Sequence, residues 1–306
     1  MRIRILGSAA GGGFPQWNCG CGNCAGVREK KIAAEPRTQD SVAVSADGER
    51  WLLLNASPDI RTQLAAFPAL FPRRPRDTPI AAIALSNDDL DHCLGLFSLR
   101  EAQPLVLYAT RVVRQGLFEK NAIARTLERF DSQLRFVELE PRRPITLCDP
   151  RGAPLGLSLE AIALPGKPPL HLCGTVEDSE LQNVGLMLRE LGSDRTFVYA
   201  TSVGKSDDNV LELMRRADCL LFDGTFWSST ELVDLGLSER RAEDMAHWPL
   251  AGEGGSFAPL WLETRGRVLL SHINNTNPIL RADSNERRAI EASGIEVARD
   301  QMEIEL

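Results

Sequence analysis

Residues 2–6 alternate charged and apolar side chains as a half-buried strand does, then break into a glycine-rich loop over residues 7–13, whose glycines permit unusual backbone angles. Residues 41–44 and 51–55 read as paired strands around a turn at Ala46, Asp47 and Gly48. Residues 58–67 predict a helix with Pro58 in its first turn. The apolar run 80–85 predicts a fully buried strand, followed by a polar stretch and a helix over 94–100. Further strands are expected at 105–108, 134–139, 155–164, 184–188, 197–200, 219–223 and 268–272, with helices between them, notably 209–216 and 285–292. Hairpins mixed with strand-helix alternations predict sheets covered by helices rather than a purely doubly wound sheet. The chain carries no repeat of fixed period, and its proline-rich stretches at 67–79 and 165–169 read as surface loops because strands resume after each, which favours one domain.

Composition narrows the function. The 306 residues are 43% hydrophobic and 25% charged, ordinary for a globular chain, with a net charge of −7. That balance argues against nonspecific nucleic-acid binding, which needs a cationic footprint. The exception is Arg73, Arg74 and Arg76 among prolines, read as a solvated loop. With neither a secretory apolar region nor a run near the roughly 18 apolar residues of a membrane span, the sequence predicts a cytoplasmic protein without membrane insertion.

Seven cysteines are an odd number, poor for a disulfide framework. Cys93, Cys148, Cys173 and Cys219 are scattered, whereas Cys19, Cys21 and Cys24 fall within six residues separated by glycines and an asparagine. Such a turn can aim three sulfurs at one point, and zinc in a structural site takes four nitrogen or sulfur ligands, so one more is needed from elsewhere. A metal-free cysteine loop or a redox-active thiol pair are the alternatives; the latter lacks a thioredoxin-like strand-to-helix setting.

A second cluster follows the buried strand: Ser86, Asn87, Asp88, Asp89, Leu90, Asp91 and His92. In an extended segment the side chains at 87, 89 and 91 project to one side, with His92 arriving as a helix begins. Without a metal, the same acids would serve a helix N-terminus. Asp223 and His272 each stand at the end of an apolar run, so Asp91, His92, Asp223 and His272 can converge on a divalent ion, zinc or iron; two imidazoles and a carboxylate suit iron(II) and oxygen in particular. His171 lies in a proline-rich loop facing substrate or solvent, and His247, beside Trp248 and Pro249, reads more readily as a hydrogen-bonded structural histidine than as a ligand.

These residues resemble the metallo-β-lactamase superfamily motif H-x-H-x-D-H, with Asn87 and Asp89 in its first two histidine places and Asp91 and His92 intact; Asp223 matches the later bridging aspartate and His272 the final histidine. The resemblance implies a four-layer α/β-β/α sandwich of two similar halves, spanning 1–306 with a cysteine-turn zinc site at 19–24. The chain is also similar to the PqqB family of pyrroloquinoline quinone (PQQ) biosynthesis, through LGSAAGGGFPQWNC at 6–19, NASPDIR at 55–61, DGT at 223–225 and HINNTNP at 272–278. A related phosphodiesterase family, PhnP, shares the cysteine turn and places a fourth zinc ligand, a histidine, shortly after the final metal histidine; Asn275 stands there in this chain. The expectation is that Asn275 completes the site through its side-chain oxygen or a water held by it.

Loss of histidine at 87 and 89 depletes the first metal position and leaves the second recognisable. What the PqqB resemblance implies is iron-dependent, oxygen-using hydroxylation of the tyrosine-derived ring of a crosslinked Glu-Tyr precursor, with PQQ as a product ligand. Iron(II), or zinc in the isolated protein, would be held by Asp91, His92, Asp223 and His272; Ser86, Asn87 and Asp89 would tune the surroundings or bind substrate, and Arg61 would meet a substrate carboxylate. Two other readings stand beside it: a metal-dependent hydrolase, and a non-catalytic carrier of PQQ or its precursor assisting transport.

Overall fold

The computed structural model describes residues 1–130, 133–175 and 179–306. The apolar runs become the strands β1 (Arg2–Gly7), β2 (Ser41–Ser45), β3 (Trp51–Leu54), β4 (Ile80–Ala84), β5 (Leu105–Ala109) and β6 (Leu134–Glu138) of one sheet. A second sheet holds β7 (Ile145–Cys148), β8 (Pro154–Ala163), β9 (Val184–Glu190), β10 (Thr196–Ala200), β11 (Cys219–Asp223), β12 (Arg267–Ser271) and β13 (Glu296–Val297). The last strand, β14 (Glu303–Glu305), crosses back to the first sheet and pairs antiparallel with β1.

The two sheets repeat one pattern. Strands β1 to β3 are antiparallel and β3 to β6 parallel; strands β7 to β10 are antiparallel and β10 to β13 parallel. Two similar halves, as the resemblance implies, are therefore present, with β14 taking in the first sheet the edge place that β7 takes in the second.

Side-chain alternation builds the layers. Val42, Val44, Leu52 and Leu54 pack between the sheets with Leu186, Leu188, Tyr199 and Leu221. Their neighbours Ala43, Leu53 and Ile83 point the other way, onto Ile60 and Leu96, while Leu220, Phe222 and Leu270 meet Val210, Leu213, Leu260 and Ile290. Because strands with both faces buried lose the polar alternation, these segments read as unbroken apolar runs. The result is the four-layer sandwich.

The differences from sequence expectation are local. The helix expected at 58–67 is Ile60–Ala65, and that expected at 94–100 starts earlier, as one α turn, Leu90–Cys93, continued by the tighter 3-10 turn Leu94–Leu99. Helices Asp208–Arg216 and Asn285–Ala292 lie where predicted, capped by Asp207 and Ser284. Helices Gly22–Arg28 and Phe257–Glu263, and strands β7, β13 and β14, lacked a sequence signal because they are short or polar on one side. Arg73, Arg74 and Arg76 pair with Glu49, Asp77 and Glu101 on the surface, as a solvated loop would. Among the described residues no helix is long and apolar enough to cross a membrane.

A buried polar network joins the sheets at one end. Asp40, fully buried just before β2, accepts hydrogen bonds from the hydroxyls of Tyr199 and Ser271, the latter at 2.7 Å, on β10 and β12. Tyr199 Oη also accepts from Asn55 Nδ2 at 2.9 Å, and Asn55 bonds the Ser86 hydroxyl and amide at 3.1 and 3.0 Å. Burial, then the Asp40 charge, push the Tyr199 phenol well above its ordinary pKa, so it stays a neutral donor. Tyr199→Phe deprives a buried carboxylate of one donor and is expected to lower stability by about 1.5–3 kcal/mol; urea denaturation of parent and variant measures it.

Candidate metal centre

The loop after β4 carries the first ligand group, and its position is fixed from outside. Ala56 N donates to the His92 carbonyl at 2.7 Å and Gly95 N to the Ala56 carbonyl at 2.9 Å, which docks the Leu90–Cys93 turn on the NASPDIR segment. A Cβ at Gly95 would lie 2.1 Å from the Ser57 carbonyl, so only glycine permits this approach. Ser86 Oγ reaches to 3.4 Å of His92 Nδ1. As the alternation predicts, Asn87, Asp89 and Asp91 line a cavity of about 410 Å³ while Asp88 turns away, accepting from Gln182 at 2.6 Å.

Strand ends supply the rest. β11 ends on Asp223, but β12 ends at Ser271, one residue before its expected end, and His272 follows in the left-handed region with φ 55°. That turn brings His272 Nε2 to 3.1 Å of Asp91 Oδ2, which lies 3.6 Å from His92 Nε2. Ligand atoms of Asp91, His92 and His272 lie within 4.8 Å of one another. His92 Nε2 is buried with no hydrogen-bond partner among the described residues, the state expected of a nitrogen whose lone pair faces an ion.

Asp223 belongs to a second triad, with His247 and His272. Its Oδ1 accepts from the Thr225 amide and hydroxyl at 3.0 and 2.6 Å, and its Oδ2 from Val203 N and His247 Nδ1 at 2.9 and 2.7 Å. A carboxylate offers about four lone-pair sites, so all are engaged by protein, and coordination by Asp223 requires that one donor be given up. Thr225 Oγ1 also lies 2.8 Å from His272 Nδ1. If Nδ1–H donates to Thr225 and Thr225 to Asp223, the tautomer that presents His272 Nε2 to the ion is the one favoured.

Electrostatics fit the same assignment. Burial opposes ionisation of Asp91, but His92 and the His272 hydrogen bond outweigh it and hold the carboxyl well below the usual range. Burial likewise works against Asp223, overcome by His247, His272 and Thr225. His272, despite burial, is raised to about 9 by Asp91 and Asp223. A proton held by His272 between two carboxylates occupies the position of a cation, and a divalent ion would displace it. Asp89 is raised, by burial and then by the Asp91 charge.

The three cysteines form a separate cluster. Cys21 caps helix Gly22–Arg28, which places Cys24 in its first turn, and the sulfurs of Cys19, Cys21 and Cys24 lie within 4.8 Å of one another. Asn275 stands among them, its Nδ2 at 3.1, 3.7 and 3.3 Å from Cys19, Cys21 and Cys24. The amide nitrogen faces the sulfurs where the side-chain oxygen was expected; a half-turn of the terminal amide exchanges the two. Burial opposes the Cys19 thiolate, but hydrogen bonds from the Cys21 amide, Cys21, Cys24 and Asn275 pull its pKa down, while burial raises Cys24 to about 11.

Arg61 and His247 are placed as follows. Arg61, expected to meet a substrate carboxylate, is exposed on helix Ile60–Ala65 and is not among the cavity residues, because Ile60 takes the inward position. The NASPDIR motif acts through Asn55, Ala56 and Ser57 instead. His247, read as a hydrogen-bonded structural histidine, bonds Asp223 at 2.7 Å, and it also lines the cavity and stacks on His272 with centroids 5.4 Å apart. Its only sequence signal was its neighbourhood, since the left-handed Ala246 that aims it has no residue-type signature. His171 is exposed and lies outside both triads.

Two sheets packed back to back, with imidazoles and carboxylates gathered at the ends of β4, β11 and β12, define a metallo-β-lactamase-type protein, and the model of the β-lactamase superfamily domain matches residues 50–273. The chain is 48% identical to the coenzyme PQQ synthesis protein B of Pseudomonas paraeruginosa and 43% to that of Methylococcus capsulatus, each alignment covering all of both chains. The crystal structure of Zn(2+)-bound PqqB from Methylobacterium extorquens covers both chains completely at 38% identity and a TM-score of 0.91. The chain belongs to the coenzyme PQQ synthesis protein B family. A diphosphatase of the PhnP family, 18% identical with a TM-score of 0.66 over 100% of this chain and 98% of its own, shares the fold.

Replacing His92 or His272 by Ala is expected to remove divalent-ion binding at this centre, whereas His171→Ala leaves it intact and His247→Ala retains the ion because it frees a lone pair of Asp223. Metal analysis of the folded variants after equilibrium dialysis checks all four; loss of the ion in His171→Ala alone would relocate the site.

Proposed function

We propose that this chain acts in PQQ biosynthesis, the process named for its relatives, as an iron-dependent, oxygen-using hydroxylase of the tyrosine-derived ring of the crosslinked Glu-Tyr precursor. The observation that carries the reading is the triad Asp91, His92 and His272 with a buried, unpartnered His92 Nε2, beside Asn87 and Asp89 where a second metal position would need histidines. Two imidazoles and one carboxylate suit iron(II) with sites left for oxygen and substrate. When bound, iron(II) supplies oxygen activation. Thr225 fixes the His272 tautomer, Ser86 orients His92, and Asp223 and His247 hold the remaining side of the cavity. Phe226, Leu170 and Met245 give that cavity apolar wall for an aromatic ring.

Each hydroxylation converts a ring C–H to C–OH, consuming one dioxygen with two electrons and two protons and releasing water, so the assay supplies ascorbate as reductant. Anaerobic reconstitution with iron(II), then oxygen and the precursor, is expected to yield products heavier by oxygen, labelled from ¹⁸O₂. Tight PQQ binding without oxygen consumption would assign the carrier role, and metal-dependent ester cleavage the hydrolase role.

We further infer that Cys19, Cys21 and Cys24 hold a structural zinc, with Asn275 at its fourth side, since soft sulfurs select a different ion from the oxygen-rich centre. The triple Cys→Ala variant is expected to lose one zinc per chain and melt at lower temperature while still binding iron(II). Full zinc retention in that variant would end the assignment.

A further inference from the structure

The cavity lined by the candidate metal ligands also carries two cationic side chains that the proposed chemistry does not use. Lys167 comes from the proline-rich loop after β8, and Arg240 from the segment preceding His247; both are half-buried in the cavity wall. Lys167 Nζ and Arg240 Nη2 each donate to the backbone carbonyl of Asp244, each at 2.6 Å. Two donors on one oxygen lie no farther apart than twice that distance, so the charges are close neighbours. Neither has a carboxylate within ion-pair reach among the described residues. The carboxylate of Asp244, whose carbonyl takes both cations, instead accepts from the amide of Arg241 at 2.9 Å.

That arrangement is unusual for this chain. Acidic residues outnumber Lys and Arg, 42 to 35, and cations elsewhere on the surface commonly have acidic partners, as Arg142 with Glu212 and Arg215 with Glu263 do. Burial, then the Arg240 charge, lower the Lys167 pKa, against the weaker opposing pull of Asp89, Cys173 and Asp244. Two like charges sharing a neutral carbonyl in a partly desolvated wall repel each other, and a bound anion is what relieves that repulsion. A guanidinium offers a planar fork for a carboxylate, and a lysine beside it a movable point charge.

We propose that Lys167 and Arg240 form a carboxylate-binding subsite of the cavity, which selects anionic, carboxylate-bearing aromatic ligands over their neutral counterparts. The inference rests on reading the cavity as the substrate site, and it deepens the proposed function by naming the substrate class. A cavity of about 410 Å³ has the size of a small-molecule site. A Glu-Tyr crosslink freed from its peptide carries the carboxylates such a subsite needs, whereas the phenolic ring alone does not. The subsite fixes which end of the ligand faces the metal triad.

The test measures equilibrium binding of PQQ, a tricarboxylate, and of its trimethyl ester to the metal-loaded protein, by quenching of tryptophan fluorescence. The parent is expected to prefer PQQ to the ester. Lys167→Met and Arg240→Met keep stem length without charge, and each is expected to weaken PQQ binding about tenfold or more, as loss of a charged hydrogen bond does, while ester binding and metal content stay at parent values. Arg240→Lys, which keeps the charge, is expected to retain most of the affinity. PQQ affinity within about twofold of the parent in both Met variants, equal binding of PQQ and ester, or no PQQ binding by the parent would overturn the proposal. Failure of the hydroxylase reading shows differently: no oxygen-dependent product from the parent while charge-dependent PQQ binding persists.

Discussion

The structure depends on a carboxylate that water does not reach. Asp40 sits between the sheets, and because a buried charge is costly unless its lone pairs are satisfied, Tyr199 and Ser271 of the second sheet must be where they are. Hydrophobic packing between sheets is tolerant of sliding; hydrogen bonds to a buried carboxylate are not. The network therefore fixes the register of one sheet upon the other at the end where β3, β4, β10 and β12 finish. Through Asn55 and Ser86 it continues to His92, and Ser271 adjoins His272, so the two imidazoles of the metal triad inherit their separation from it. Ligands from opposite sheets can meet within ångströms only if the sheets cannot shift.

Three of the nine non-glycine residues with positive φ among the described residues lie where that precision is used. Asn55, Ala246 and His272 all have φ between 55° and 60°, a region that costs energy for residues with a Cβ and persists only where surroundings impose it. All three lie at or directly before a residue that shapes the metal centre. Asn55 begins the segment that docks the His92 turn, Ala246 aims His247, and His272 turns off its strand to face Asp91. Flanking contacts hold the two histidine turns there, through the Thr225 hydrogen bond to His272 Nδ1 and the Asp223 bond to His247.

How much could be read in the sequence follows from these causes. Strands buried on both faces announce themselves as apolar runs, and the oxygen ligands of the first loop announce themselves by spacing, so the sandwich, Asp91, His92 and the near-convergence of Asp223 and His272 were legible. What was not legible depends on contacts between distant segments. Lys167 and Arg240 are far apart in the chain and meet on the carbonyl of Asp244; His247 reaches the site through a left-handed alanine; and Asp223 is saturated by donors from three different segments. Arg61 lies exposed outside the cavity, since a motif position marks a place in the fold and not the direction of its side chain.

The return of β14 to the first sheet has a consequence for how the protein is made. Asp300, just before that strand, accepts hydrogen bonds from Ser8 and from the amide and hydroxyl of Thr38, and Gln301 N bonds the Ile5 carbonyl. The glycine-rich loop beside Asp91 is thus secured by residues translated some three hundred positions later. During synthesis the first half emerges with an unfilled sheet edge and an unanchored loop, and contacts of such long sequence separation form last. The loop beside Asp91 is therefore anchored only after residues 300 and 301 have been added to the chain.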